Sequence, residues 1–322
     1  MRILIWGTLT LALLWGGYWF VGASQLEKAL VANLDDKSHG SVSTSYSDIA
    51  VRGFPNRFDT TLTDLEIESH DEPVTWSIPF LQILALSYNP GHLIAVWSQD
   101  QSVTLPDQVI DLNVESLQAS AVFENITRIN LARATLVGGA MKFRSSADWG
   151  IDVASLSTSL RQKNIPETYD LALDTTGISV PDLGLSANEA LNADARITVE
   201  LARPLDRDLD SQQAVKSISV SRVQITQGDS TINVTGELPV DDFGVMDGEL
   251  TVQVSNWQKI LMRLTSAEVL PTDVADNLTT LINLFALDPN DPDNLNLVIS
   301  IKQGNAFFGP IPLGTVPKLV WN

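Results

Sequence analysis

The chain contains no cysteine in its 322 residues. That one absence removes disulfide bridges, thiol catalysis, thiolate zinc sites and a lipobox cysteine together. Histidine is nearly as scarce: His39, His70 and His92 are the three present, each in a turn-like or polar setting. None falls in an H-x-x-x-H or H-E-x-x-H spacing that would put two imidazoles on one helix face for a metal. Runs of lysine or arginine are missing too. The 39 acidic and 20 basic residues leave a net charge of −19, and a phosphate backbone requires a clustered basic face, so nucleic acid is not an expected partner. The acidic surplus reads most simply as a solubility device. There is no G-x-S-x-G elbow, no Walker loop and no G-x-G-x-x-G after a strand. No catalytic residue, cofactor or metal is therefore expected, and the chain reads as a non-enzyme.

Weaker candidates have ordinary explanations. The loop DPNDPDN, with Asp288, Asp291 and Asp293, offers oxygens to calcium but lacks the glycine and closing glutamate of an EF-hand loop, so it reads as a solvated helix exit. The mixed-sign run Arg203 to Asp210 reads as an exposed connection. The sequons at Asn125, Asn233 and Asn277 matter only in a eukaryotic secretory path, which nothing in the sequence supports.

The N-terminus carries the strongest local signal. Ile3 to Ala23, ILIWGTLTLALLWGGYWFVGA, is 21 residues without a charge. At 1.5 Å rise per residue it is long enough for a hydrocarbon core of about 30 Å. Trp6 at one end and Tyr18, Trp19 and Phe20 near the other suit the two interfaces, while Arg2 holds the short end in the cytoplasm. The alternative is a cleaved signal peptide, since Val21-Gly22-Ala23 has the small residues a peptidase prefers. Both place everything after Ser24 outside. In SQLEKALVANLDDKSHG, Leu26, Leu30 and Leu34 form a narrow helical stripe that Gly40 can end. Three segments follow: an anchor or signal over 1–23, a juxtamembrane helix over 24–40, and an exported region over 41–322.

From Ser41 the period becomes two. Ile232, Val234 and Leu238 alternate with Thr231, Asn233, Thr235 and Glu237; Ile197, Val199 and Leu201 alternate with Arg196, Thr198 and Glu200. The same alternation runs through Leu250, Val252 and Val254, through Leu295, Leu297, Ile299 and Ile301, and through Tyr169, Leu171 and Leu173. One apolar and one polar face per strand marks antiparallel sheet with a single covered side, not a parallel α/β sheet. Hence a mainly β fold with a few helices is expected, built on a long curved antiparallel meander, groove-like or barrel-like. At this length, one elongated domain and two smaller ones are both open.

Two segments depart from simple alternation. Pro79 to Asn89 is apolar at nearly every position, followed by a turn expected at Asn89-Pro90-Gly91-His92; this hairpin is expected to be covered on both faces. Near the C-terminus a helical hairpin over 256–287 is expected from Trp257, Ile260, Leu261 and Leu264, and then from Val274, Leu278, Leu281, Ile282 and Phe285, with Pro289 as the stop. Such a hairpin can plug the open side or end of a curved sheet. The apolar face, with Val234, Leu238, Val252, Val254, Leu297 and Ile299 as its candidate lining, then has two options. It is filled by the chain's own side chains and capping helices, or it leaves room for acyl chains.

Three short motifs stand out: R-G-F-P-N-R-F-D at Arg52 to Asp59, W-S-I-P-F-L-Q-I-L-A-L-S-Y-N-P-G-H at Trp76 to His92, and F-G-P-I-P-L-G at Phe308 to Gly314. In the first, Gly53 permits a backbone conformation others avoid, Phe54 can point into the core, Pro55 fixes φ and ends pairing, a strand resumes from Arg57 and Phe58 to Ile67, and Arg57 can pair with Asp59 across the turn. In the last, Pro310 and Pro312 mark an edge strand or a final turn. Together with the N-terminal segment, these motifs resemble the domain of unknown function 2125 family of alphaproteobacterial envelope proteins over nearly the whole chain. The resemblance implies a location more than an activity: the bacterial inner membrane, crossed once, with the bulk of the chain in the periplasm. More loosely, one N-terminal helix followed by an extended amphipathic sheet is similar to AsmA-like proteins, whose groove-shaped sheets are implied in lipid movement. The expected function is that of an inner-membrane-anchored protein binding or moving lipid for envelope maintenance. The alternative is a self-filled envelope scaffold working through protein contacts.

Overall fold

The computed structural model describes residues 2–34, 42–69, 72–125, 127–181, 189–206, 215–285, 287–288 and 290–319. The expected helix stop at Gly40, His39, His70, the expected stop at Pro289 and the end of the mixed-sign run after Asp206 lie outside them. The chain divides into two compact units, Met1–Ile126 with Leu136–Trp149, and Thr127–Thr135 with Gly150–Asn322.

The first unit opens with one unbroken helix, α1 (Arg2–Leu34). The apolar run and the leucine stripe therefore belong to a single rod, with no break at Ala23. Nine strands follow in turn: β1 (Val42–Ser45), β2 (Asp48–Arg52), β3 (Arg57–Ser69), β4 (Thr75–Leu86), β5 (Asn89–Trp97), β6 (Asp100–Thr104), β7 (Val109–Val114), β8 (Leu117–Asn125) and β9 (Asn130–Gly138), the last passing from the second unit into the first; then comes β10 (Met141–Ser145). All strand pairings among the described residues are antiparallel. β3 takes β1 and β2 along one side and β4 along the other; β4 takes β5 at its far half and β6 at its near half, and the ladder continues to β8 and through β7 to β10. Each of the short pairs is one long strand interrupted once.

Burial in this unit follows one face, with one change of phase. On β3, Phe58, Thr60 and Leu62 are buried, and then Leu65. The switch falls at Asp64, whose φ of 49° is left-handed, opposite Pro79 on β4, which has no N–H to donate. Ile49, Leu62, Leu65 and Ile78 form the central cluster, with Trp76, Leu81, Ile83 and Trp97 packed around them and Leu30, Val31 and Leu34 of α1 laid across. Thr44 donates its hydroxyl to the Leu34 carbonyl at 2.9 Å, fastening the end of the helix.

The β4–β5 hairpin differs from expectation in two ways. Its turn is Ser87–Tyr88, with Leu86 opposite Asn89, and Pro90–Gly91 lies in an irregularity of the ladder beyond it. Nor is it covered on both faces: Phe80 and Ile94 are exposed. The reason lies in the neighbours. Leu84 stands opposite Asp59, Gln82 opposite Thr61, and Ile94 opposite Ser120, so that side of the sheet is polar and faces solvent.

The second unit continues with β11 (Gly150–Val153), β12 (Ser155–Gln162), β13 (Thr168–Ile178), β14 (Leu191–Leu201), β15 (Val215–Gln227), β16 (Ser230–Pro239) and β17 (Gly248–Ser255). Helices α2 (Trp257–Ser266) and α3 (Thr272–Phe285) form the expected hairpin. The chain ends with β18 (Leu287–Asp288), β19 (Asp291–Lys302), β20 (Asn305–Phe308) and β21 (Ile311–Thr315). Neighbours in sequence are neighbours in the sheet: β12 to β17 pair in order, then β19, β20 and β21, all antiparallel. Pro312 sits on β21, which pairs with β20 alone, the edge position its missing N–H dictates. The sheet is not closed into a barrel.

Candidate functional site

Two constructions carry the motifs and candidate residues: a corner in the first unit and an aliphatic face in the second.

The corner is the turn between β2 and β3. Gly53 has φ of 103°, and a Cβ there would stand 2.8 Å from Cβ of Arg57 and 2.9 Å from its carbonyl oxygen, so this position is open to glycine alone. Arg57 N–H donates to the Gly53 carbonyl at 2.9 Å, and the Arg57 guanidinium meets Asp59 at 2.9 Å. The two phenylalanines of the motif face α1. Phe58 is buried with Trp19 and Ala23, its ring stacked on the Trp19 indole at 5.9 Å between centroids. Phe54, expected in the core, is instead exposed, because its ring lies against the helix and not the sheet interior: it stacks on Phe20 at 5.4 Å and meets Trp19 edge-on at 5.5 Å. Gly22 lets the helix in: a Cβ there would lie 3.0 Å from the tip of Phe58. Two carbonyls of the corner and one of the neighbouring β4–β5 turn receive donors from the helix. Trp15 donates to Pro55, Trp19 to Arg57 and Tyr18 to Ser87, at 2.9, 2.7 and 2.8 Å.

The motif is therefore a seat for the N-terminal helix. Spacing could have revealed it, since Gly16, Trp19, Gly22, Ala23, Leu26 and Leu30 recur at helical intervals along one face of α1, with small residues where a partner must come close. The stripe was legible only from Leu26 onward because, before that point, every side of the helix is apolar.

The face lies on β13 to β19. Val234 stands opposite Val223 on one side and Val252 on the other, and Val252 opposite Leu297; the row continues to Ala195 and Leu173. Ile225, Ile232, Val254 and Leu295 make the next row. Val220, Gly236, Leu250 and Ile299 make the row on the other side, ending at Phe308. Across six strands about 4.8 Å apart, the first of these rows runs about 24 Å. Among the candidates, Leu238 stands apart: it is buried with Met246 and Ile301.

Both ends of the face are closed. At one end, Tyr169, Leu201 and Val215 are buried beside Leu205, Val240 and Leu319. The Tyr169 hydroxyl accepts the Leu205 N–H at 2.8 Å and the Gln162 amide at 3.1 Å, and burial pushes its pKa up despite those bonds. At the other end sits α2. Trp257 is buried and donates to the Pro292 carbonyl at 3.0 Å; Arg263 donates to the side-chain oxygen of Gln227 at 3.2 Å; Lys259 pairs with Asp229 and holds its carboxyl below the usual range. Gln227 shares the face of Ile225, two residues away, so α2 caps the apolar side at its rim. Of the two placements expected for the hairpin, the end is the one found. A cavity of about 310 Å³ lies between α2 and α3, lined by Trp257, Leu261, Met262 and Ala275 among others.

Between the closed ends, Leu173, Ala195, Val223, Val234, Val252 and Leu297 belong to none of the buried clusters. The candidate acidic loop is engaged elsewhere: Asp291 accepts the Asn294 amide at 2.8 and 3.0 Å, and the Asp293 carbonyl accepts Asn256 N–H. The Asp288 side chain lies outside the described residues. His92 lies 3.1 Å from the Ser120 hydroxyl.

No curated protein and no solved structure matches the chain. A family model matches residues 19–317, from the Trp19 seat to the segment that closes the face, and the chain belongs to that family, described as "Uncharacterized protein conserved in bacteria (DUF2125)".

Proposed function

We propose that this is a single-span protein of the bacterial inner membrane, its folded units in the periplasm, which holds lipid acyl chains against the aliphatic face of the second unit. One observation carries the reading. In the middle of β16, the aliphatic residues Ile232 and Val234 are only half-buried, as are Thr231, Asn233 and Thr235 on the polar side of the same strand. Water against such rows is unfavourable at roughly 25 cal/mol per Å² of apolar surface, so the rows favour an apolar occupant. The N-terminal helix is the one described helix long and apolar enough to cross a membrane. Its Trp19 and Ala23 pack into the first unit, which favours a retained anchor over a signal cleaved after Ala23.

The test places a photoreactive side chain at Val234 or at Thr235 in the full chain, in native membranes. Adjacent positions point to opposite faces of one strand. A lipid adduct at position 234 and none at 235 is the expected result. Adducts to protein alone at 234 would replace this reading with that of a scaffold working through protein contacts.

A further inference from the structure

The seat of α1 has a consequence for where the folded unit meets the membrane, given the reading of α1 as a spanning helix. A hydrocarbon core of about 30 Å takes about 20 helical residues. Counted from Ile3, those residues end near Gly22. Yet the helix is free of the folded unit only through Leu14, about 18 Å of rise. From Trp15 onward it is docked: Trp15 on Pro55, Tyr18 on Ser87, Trp19 on Arg57 and Phe58. The docked stretch and the corner that receives it therefore share one depth in the bilayer.

We propose that the β2–β3 corner and the neighbouring Ser87–Tyr88 turn are inserted into the lipid interface of the outer-facing leaflet, so that the first unit rests in the membrane rather than above it. The ligand of this surface is the lipid bilayer. Two independent features fit. The first is side-chain chemistry: Phe20, Tyr18, Phe54 and Tyr88 are exposed around the corner, an aromatic belt contributed jointly by helix and sheet. The second is backbone chemistry. Irregular backbone is tolerated at membrane depth only where its polar groups are satisfied by protein. Here the Pro55, Arg57 and Ser87 carbonyls are met by the Trp15, Trp19 and Tyr18 donors, the Gly53 carbonyl by Arg57 N–H, and the Asn56 carbonyl by Ser87 N–H at 2.8 Å. Insertion by 5–10 Å, the ordinary depth of an interfacial element, accounts for most of the roughly 12 Å of helix missing from the free segment. Arg57 at the corner has its charge paired with Asp59, two residues further along β3.

The absence of cysteine makes the test direct. Single variants Leu9→Cys, Tyr88→Cys and Asp107→Cys are labelled with bimane in the full chain and reconstituted into phosphatidylcholine vesicles with or without acyl-brominated lipid. Asp107 follows β6, whose pairing with Thr75 puts it at the opposite end of β4 from Tyr88. At about 3.3 Å per residue that separation exceeds 30 Å. Bromine is expected to halve the emission at positions 9 and 88 at least and to leave 107 unchanged. Quenching at 9 with none at 88 overturns the inserted corner while the anchor stands. No quenching at 9 overturns the spanning helix, and the inserted corner with it.

Discussion

Val234→Asp against Leu238→Asp separates a lipid-holding face from a self-filled core, because the two residues lie on the same strand and the same face and differ in cover. Leu238 is 7% exposed and packed with Met246 and Ile301. A carboxylate there has no partner, and an unpaired buried charge costs several kcal/mol, a large share of the stability of a typical domain. Val234 is half-buried between Val223 and Val252. Aspartate there keeps its water, so the free protein loses only strand preference and lateral packing, about 1–2 kcal/mol. Under an acyl chain that water has to leave, at about 3–4 kcal/mol or more, which lowers lipid affinity several-hundredfold. The assay pairs a denaturant midpoint with the lipid bound per mole of full chain after delipidation and exchange. Leu238→Asp is expected to unfold the second unit, and Val234→Asp to fold and lose lipid. Equal unfolding by both would place Val234 in a packed core, and undiminished lipid in a folded Val234→Asp would remove the face as the binding surface.

The remaining predictions concern the seat and the sheet. Phe58→Ala is expected to weaken helix docking by about 3 kcal/mol, the usual cost of emptying a buried ring, and to hasten proteolysis at Lys28 by up to a hundredfold; Gly22→Leu, which leaves Phe58 in place but blocks its approach, is expected to do the same. Gly236→Ala is expected to break the β16–β17 ladder, because a Cβ there would stand 2.2 Å from the Glu249 carbonyl oxygen at a φ of 152°, and the unfolding free energy of the second unit, read from denaturant titration, should fall by several kcal/mol. Tyr169 has its pKa raised by burial above the ordinary 10.0, so the unfolded chain gives up this proton first. Its contribution is fully present below that pH and is lost as pH rises through the folded value. Tyr169→Phe should remove that alkaline limb while costing about 1–3 kcal/mol at neutral pH for the Leu205 N–H left without an acceptor.

What the sequence makes legible here is periodic, and what it hides is relational. Alternation at Ile232, Val234, Leu250, Val252, Leu297 and Ile299 marks the strands correctly, because period two depends only on each strand's own backbone. The row from Leu173 to Leu297 depends on register across six strands, and alternation says nothing about which valine meets which. Burial is relational too: Leu238 and Val234 look alike in sequence, and only the segment that returns over one end of the sheet separates them. The same holds for the apolar run Pro79 to Asn89, whose second face is decided by Asp59, Thr61 and Ser120 on other strands.

The Gly-Phe-Pro corner is the sharpest case, since its glycine and proline are readable as a turn while its purpose resides in Trp15, Tyr18 and Trp19, some forty residues earlier. A uniformly apolar helix dictates no particular aromatic order, so the matching donors for Pro55, Ser87 and Arg57 carry no local signature. They acquire meaning only when paired with the corner. That pairing also sets a geometric constraint on the proposed lipid reading: if α1 spans the bilayer, its seat along β2 and β3 fixes the depth at which the first unit rests. Mutations that unseat the helix without unfolding the sheet should then separate membrane attachment from membrane positioning.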